Sequence, residues 1–224
     1  MLDVLPKSFA DRSPTVRASA VLLVADRDLR EAVPLVEPLL RDNNAEVRLR
    51  AAECIGIFKV GKCLGVRALL CDVSPVVRAQ AAETIASIGD KGALPGLAEL
   101  LSDKESFVRS YAAASICELQ GHAYIQKIRR VLEKEKQELA KVGMLEALFR
   151  LGQSDHFRQS IDLLGSSDYH VRCSVSNSLD SMPLSDAEMK IAIRALSLAT
   201  RKALAEADRS TARRVLLKMK SQLN

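Results

Sequence analysis

The sequence contains no tryptophan, and only 4% of its 224 residues are aromatic. Because 48% of the residues are nevertheless apolar, the composition predicts a core of alanine, leucine, valine and isoleucine between closely packed helices. Aromatic side chains are the platforms on which single-stranded nucleic acid stacks. Their scarcity therefore argues against a protein that binds nucleic acid by stacking on its bases.

The cysteines and histidines lack the spacing of metal ligands. The five cysteines are odd in number and form no zinc-type pair, which predicts thiols in a reducing compartment. His122, His156 and His170 are each followed by a residue other than glutamate, and none has a second histidine three or four residues away. Residues 61–65 lack the spacing of a phosphate-binding loop, and a nucleophilic Cys117 would lack a third orienting group. We therefore expect no metal, no cofactor and no catalytic residue.

No apolar run approaches the length of a membrane span, and the first residues contain no apolar signal core. We expect a cytoplasmic protein that does not interact with membranes. The net charge of +5 is concentrated near the end of the chain, where residues 190–224 hold nine basic and two acidic side chains.

The basic residues of this C-terminal segment alternate with apolar ones, which is typical of the solvated face of a terminal helix. Contact with nucleic acid or with an acidic partner is the alternative. This C-terminal basic cluster consists of Arg201, Lys202, Arg209, Arg213, Arg214, Lys218 and Lys220.

A Val-Arg pair recurs along the chain at a nearly fixed interval. The pairs begin at Val16, Val47, Val77, Val108 and Val171. The first three intervals are 31, 30 and 31 residues, and the last is 63, about two periods, so a degenerate copy is expected between them at Ala140-Lys141. A fixed period in this range predicts a solenoid of stacked repeats.

Each copy has the apolar spacing of one helix face. Counting from the valine as position zero, apolar residues stand at 0, +4, +5, +8 and +11. In the third copy these are Val77, Ala81, Ala82, Ile85 and Ile88. The spacing predicts an α-helix, and the two small residues allow a neighbouring helix to come close. A preceding helix completes each copy, and copies must stack because one pair cannot bury its apolar face alone.

The pattern in residues 72–90, Asp-(four residues)-Val-Arg-(two)-Ala-Ala-(two)-Ile-(two)-Ile-Gly-Asp, resembles a HEAT-like repeat of the subtype associated with phycobilisome lyases. The resemblance covers about residues 5–183. It implies an all-α fold: a right-handed α-solenoid of about six to seven stacked helical hairpins. We expect a single domain over residues 1–224, with repeats to about residue 183 and C-terminal capping helices over about 184–224.

A basic residue follows the first apolar position in every copy. One interpretation is phosphate binding along a nucleic-acid strand. The favoured one is a structural ladder in which each arginine pairs with Asp42, Asp72 or Asp103 of an adjacent copy, or with carbonyls at helix ends. These residues are Arg17, Arg48, Arg78, Arg109, Lys141 and Arg172.

In HEAT-like stacks the second helices line the concave face, and this face is the predicted binding surface. It is mixed and mildly acidic, which suits a protein partner with basic and apolar contacts better than nucleic acid. The candidate partner-binding residues are Arg50, Glu53, Gln80, Glu83, Tyr111, Glu118, Glu146, Arg150 and Asn177.

The favoured function is a non-enzymatic scaffold or adaptor for a protein partner, such as a bacterial immunity or regulatory protein. Two alternatives come from the resemblance. One is a subunit similar to the HEAT-repeat bilin lyases. The other is nucleic-acid binding through the basic C-terminal helices, in a family that also contains DNA glycosylases. The His-Glu motifs of the HEAT-like deoxyhypusine hydroxylase are missing.

Overall fold

The computed structural model describes residues 4–59, 64–202 and 206–223, and within these ranges the chain forms helices and no strand. Cys63 lies outside the described residues, as does the side chain of Lys202. No helix among the described residues is long and apolar enough to span a membrane. The predicted all-α class is confirmed.

The chain divides into two compact units, Met1–Gly121 and His122–Asn224. The single domain predicted for the whole chain remains a prediction. The helices of unit 1 are α1 Leu5–Phe9, α2 Pro14–Asp26, α3 Val33–Val36, α4 Ala45–Phe58, α5 Leu64–Ala68, α6 Pro75–Ile88, α7 Leu94–Leu100 and α8 Ser106–Glu118.

The longer, second helices of the hairpins in unit 1 pack side by side in the order α2, α4, α6, α8. They bury the apolar face that the repeat predicts: Val77, Ala81, Ala82 and Ile85 of α6 are all 0% exposed. The small side chains of the alanines allow the neighbouring helices to approach closely.

The first helices of the hairpins are short and interrupted. Residues 30–41, for example, form the 3₁₀ turn Arg30–Ala32, then α3, then the 3₁₀ turn Glu37–Arg41. Pro34 and Pro38 lie in the first turns of the last two segments. Because proline has no N–H to donate and clashes with the preceding turn, one continuous helix gives way to short ones.

Five of the second helices end alike, twelve residues after the first apolar position. Gly89 and Gly152 adopt the left-handed conformation there, with φ of 74° and 87°, as the sequence predicts. Asp28, Lys59 and Gln120 adopt it at the equivalent positions without being glycine, with φ of 50°, 50° and 58°. The repeated packing therefore imposes this helix ending even where the residue type disfavours it.

Unit 2 repeats the same hairpin plan with larger core side chains. Its helices are α9 Ile125–Lys134, α10 Glu138–Arg150, α11 Phe157–Asp162, α12 Tyr169–Ser181, α13 Asp186–Lys202 and α14 Glu206–Leu223. Helix α12 packs against α10 and α14, and α13 packs against α14. The rings of Phe149 and Phe157 meet at a centroid distance of 5.7 Å in this core.

The arginine ladder is confirmed as a structural feature. Arg48 binds the carboxylate of Asp72 through two hydrogen bonds of 2.7 and 2.8 Å, and its third nitrogen donates to the carbonyl of Asp42 at 2.8 Å. Arg17 pairs in the same way with Asp42, and Arg78 with Asp103. These side chains are about nine-tenths buried, so they are not available to bind phosphate.

Each ladder aspartate also closes the turn in front of its helix. The Asp72 carboxylate accepts the backbone N–H of Ser74 at 2.8 Å, and Asp103 accepts that of Glu105 at 3.0 Å. Each aspartate accepts from the residue just before the first helical turn, because the aspartate stands five residues before the valine of its repeat.

Acid should weaken this ladder. The hydrogen bonds from Arg17 lower the pKa of Asp42. Burial alone would raise the pKa of Asp72 and of Asp103. The hydrogen bonds from their arginines and from the turn N–H groups outweigh burial, so both pKa values are lowered. Because the unfolded chain then binds more protons near pH 4, the stabilisation is complete above the unfolded-state pKa of about 3.9 and disappears as pH falls through the lower folded-state values.

Urea unfolding followed by circular dichroism should therefore give similar midpoints between about pH 7 and 5 and lower ones below about pH 4. Asp103→Asn, which lacks one titrating ladder carboxylate, should lose less stability than the wild type over the acid range. An equal loss in both proteins would contradict this origin of the acid sensitivity.

Candidate binding surface

The exposed stripe of three second helices in unit 1, α4, α6 and α8, forms a candidate binding surface, called here the second-helix face. It uses four positions of each repeat, −1, +3, +6 and +10, which lie along one side of a helix. All of its residues are exposed or half-buried. They are Glu46, Arg50, Glu53 and Ile57 on α4, Val76, Gln80, Glu83 and Ser87 on α6, and Phe107, Tyr111, Ala114 and Glu118 on α8.

The cation of this face is neutralised within its own helix. Arg50 donates to Glu46 and to Glu53, both at 2.8 Å. The hydrogen bonds to Glu53 and Glu46 raise the pKa of Arg50, which stays charged. Two carboxylates therefore surround one guanidinium, and the α4 part of the face is acidic on balance. Ile57, which is 56% exposed, adds an apolar position.

Helix α6 uses part of its stripe to hold α4. Thr84 donates to the carbonyl of Ala52 and Ser87 to that of Gly56, both at 3.0 Å. Gln80 donates to the Thr84 hydroxyl at 3.3 Å. Glu83 is exposed, and in the described part of the chain it has neither a hydrogen bond nor an ion pair. It is therefore the acidic residue of the face with no structural task.

An apolar patch lies at one end of the face, on the neighbouring helices α6 and α8. Val76 is 51% exposed, Phe107 37% and Tyr111 43%, and the Tyr111 hydroxyl has no partner among the described residues. The sequence analysis found Tyr111 but missed Val76 and Phe107. The i, i+4 spacing of Phe107 and Tyr111 was the available signal, because it places both rings on one side of α8.

The three candidates in unit 2 already have partners within the unit. Glu146 accepts from Ser181 at 2.6 Å and lies 4.0 Å from Arg150. Asn177 accepts a 2.7 Å hydrogen bond from Arg214. Glu146 and Asn177 connect neighbouring helices, and Arg150 pairs with Glu146 within α10, so we assign all three a structural role beside the binding role predicted for them.

Part of the C-terminal basic cluster is likewise structural. Lys218 and Arg214 bind Asp180 at 2.6 and 3.3 Å. Burial raises the pKa of Asp180, but these two cations outweigh burial and lower it. Arg172 binds Asp208 at 2.6 Å, which adds a ladder pair that the sequence analysis missed. The separation of 36 residues, against 24 or 25 in unit 1, concealed this pair.

The repeat architecture is matched by the family model for HEAT repeats over residues 2–62 and 64–148. That is more than half of the chain. The chain belongs to the HEAT-repeat family. The predicted HEAT-like solenoid fold is thereby confirmed.

Among solved structures, the HEAT-repeat chain is similar to the complex of CpcE and CpcF of phycocyanin lyase from Nostoc sp. PCC7120. The TM-score is 0.71 at 15% identity, over 98% of this chain and 94% of the other. Human deoxyhypusine hydroxylase in complex with glycerol matches with a TM-score of 0.47 at 17% identity, over 99% and 96% of the two chains. At 15% identity the likeness to the phycocyanin lyase complex shows the fold alone.

Among curated proteins, the HEAT-repeat chain is 29% identical over 131 residues to epoxyqueuosine reductase of Bacillus subtilis (strain 168). The match covers 58% of this chain and 31% of the reductase. The chain therefore spans about a third of the length of this relative.

These comparisons correct the expectation that the chain is not an enzyme. That prediction is wrong, because a curated relative of the chain, epoxyqueuosine reductase, is an enzyme. It rested on missing motifs of a di-iron site, a phosphate loop and a cysteine nucleophile. The absence of three motifs does not separate this chain from HEAT-repeat proteins that take part in catalysis.

Proposed function

We propose that the chain is a HEAT-repeat binding module whose second-helix face in unit 1 holds a protein partner. The exposed apolar patch, together with Glu83, which has no partner in the described chain, carries this proposal. Phe107 and Tyr111 supply aromatic anchors of the kind that dominate protein interfaces. Glu83 and the acidic α4 stripe would attract a basic segment.

The helices that present this face are held in place before any partner arrives. The ladder and the hydrogen bonds between α4 and α6 fix neighbouring helices relative to each other. A rigid surface loses little conformational entropy on binding. The fold therefore suits recognition of a folded partner or an extended segment carrying lysine or arginine next to an apolar side chain.

A second candidate, favoured by the reductase relative, is that the module acts together with a catalytic chain. The 131 residues aligned with epoxyqueuosine reductase would then hold a partner or substrate for that chain.

We propose the cytoplasm as the compartment, since Cys54 and Cys71 form no disulfide and such thiols are typical of a reducing environment.

Capture from native lysate tests the surface when three versions of the intact chain serve as bait. The first is the wild type, and the second is Tyr111→Ala with Glu83→Lys. The third is a matched control, Leu35→Ala with Glu31→Lys, which makes the same kind of change at exposed positions of the first helices. We expect a protein that the wild type and the control capture and the second variant does not.

Equal capture by all three baits would contradict the assignment of the site to the second-helix face. Capture that disappears with nuclease treatment would point to nucleic acid instead. Far-ultraviolet circular dichroism of each bait shows whether its helices are intact, which separates loss of a contact from loss of the fold.

A further inference from the structure

A cavity in unit 2 lies between α9, α10 and α11. Its volume is about 410 Å³, within the range of pockets that hold small ligands. Leu132, Leu145 and Leu163 form apolar walls. Several polar atoms around the cavity are buried and have no hydrogen-bond partner among the described residues.

His156 contributes an imidazole that is only 13% exposed. Both of its ring nitrogens are buried and have no hydrogen-bond partner among the described residues. The nearest carboxylate oxygen, from Asp155, is 3.9 Å from Nε2, too far for a hydrogen bond. Buried polar atoms normally have partners, so a missing partner at a cavity suggests a bound group.

Lys141 lines the same cavity and occupies the ladder position of the fifth repeat. In unit 1 the next repeat supplies an aspartate at this point, but here it supplies Ser166. The Ser166 hydroxyl donates to Glu138 at 2.5 Å. Within the described ranges the Lys141 ammonium has no ion pair or hydrogen bond. At this point of the ladder the cation, Lys141, is present, but the aspartate that would neutralise it is replaced by Ser166.

Arg129 brings a third donor to the cavity. Its terminal nitrogen is held by Gln153 and, at 3.1 Å, by Asp155. Its Nε is buried and has no partner in the described chain. Glu133 and Asp162 also line the cavity, but both are exposed, where water screens their charge. The unmatched Arg129 Nε and Lys141 ammonium can only donate hydrogen bonds, and the His156 ring offers at least one N–H.

We propose that this cavity binds a small organic anion. Its phosphate or carboxylate head group accepts hydrogen bonds from Lys141, His156 and Arg129, and its apolar body packs against the leucine walls. The ligand supplies the charge that the ladder provides as an aspartate elsewhere. This site is independent of the protein-binding face, and either proposal can fail without the other.

The three histidines allow a direct test by proton–carbon NMR of the imidazole rings in the intact protein. A His156→Gln variant assigns the His156 signal, and His122 and His170 serve as internal controls. Hexyl phosphate and hexanoate are the anionic probes, and hexylamine and hexanol have the same apolar body without negative charge.

We expect at least one anionic probe to shift the His156 signal with a dissociation constant below about 1 mM and to leave the other two signals in place. The tighter of the two anions identifies the head group as phosphate or carboxylate. Lys141→Gln should weaken binding at least about tenfold, the effect of losing one charged hydrogen bond. Lys134→Gln, the same change on the exposed end of α9, should have no effect.

The proposal is overturned if neither anion shifts His156 at about 10 mM, well above the affinity expected of a site. It is equally overturned if hexylamine or hexanol binds as well as the anions, since the donors would then play no part. Unchanged affinity for the anionic probes in a folded Lys141→Gln protein would also overturn the proposal. The probe series on the wild type decides the matter if that variant does not fold.

Discussion

Replacing Asp72 by alanine is expected to lower the free energy of unfolding by about 3 kcal/mol, the usual effect of breaking a buried ion pair. The change leaves the Arg48 guanidinium, which is about nine-tenths buried, without the two hydrogen bonds that it donates to Asp72. It also removes the acceptor of the Ser74 N–H. The urea midpoint from circular dichroism should fall by about 1 M, given usual denaturant slopes.

Glu46→Ala is the matched control, because it also removes a carboxylate from an arginine on a second helix of unit 1. Glu46 is 55% exposed, so its pair with Arg50 is screened by water and should contribute less than about 1 kcal/mol. If both variants lost the same amount of stability, burial would not be what makes the ladder strong.

Tyr111→Ala combined with Glu83→Lys should weaken partner binding by about 100-fold or more, since loss of one central aromatic anchor alone costs about 2 kcal/mol. The charge reversal adds repulsion toward a basic segment and slows association. Both side chains are exposed and lack partners in the described chain. The helical circular dichroism and the urea midpoint should therefore stay unchanged.

Titration calorimetry against the captured partner measures this effect. The Leu35→Ala, Glu31→Lys protein should bind within about twofold of the wild type, because distant exposed residues contribute little to an interface. A double variant that binds as tightly as the wild type would remove the second-helix face as the site. The same loss of affinity in the control would indicate a general effect of net charge.

The ladder could be predicted from sequence because its parts recur at fixed offsets. In unit 1 an arginine follows the valine of each repeat and an aspartate precedes it by five residues, so stacking in register brings Arg48 to Asp72. The same argument fails for Asp208, where the spacing of the repeat changes. Pro183 stands where earlier repeats have their left-handed residue, and proline cannot adopt that conformation.

The candidate site was less predictable than the fold. Helical periodicity predicted which positions of each repeat are exposed. It could not show that Thr84 and Ser87 bind the backbone of α4 or that Asn177 accepts from Arg214. Those partners depend on which helices become neighbours. The sequence shows that Ser166 stands where a ladder aspartate would face Lys141, but the His156 cavity itself depends on how α9, α10 and α11 pack together.

We propose the second-helix face of unit 1 as the place where the partner binds. Hydroxyl-radical footprinting of the wild-type complex, read by mass spectrometry, tests it most directly because exposed aromatic rings react readily. The account predicts that the partner protects Phe107 and Tyr111 and leaves Tyr169 of unit 2, which is 39% exposed, as reactive as in the free chain. Unprotected Phe107 and Tyr111 in a saturated complex would contradict it.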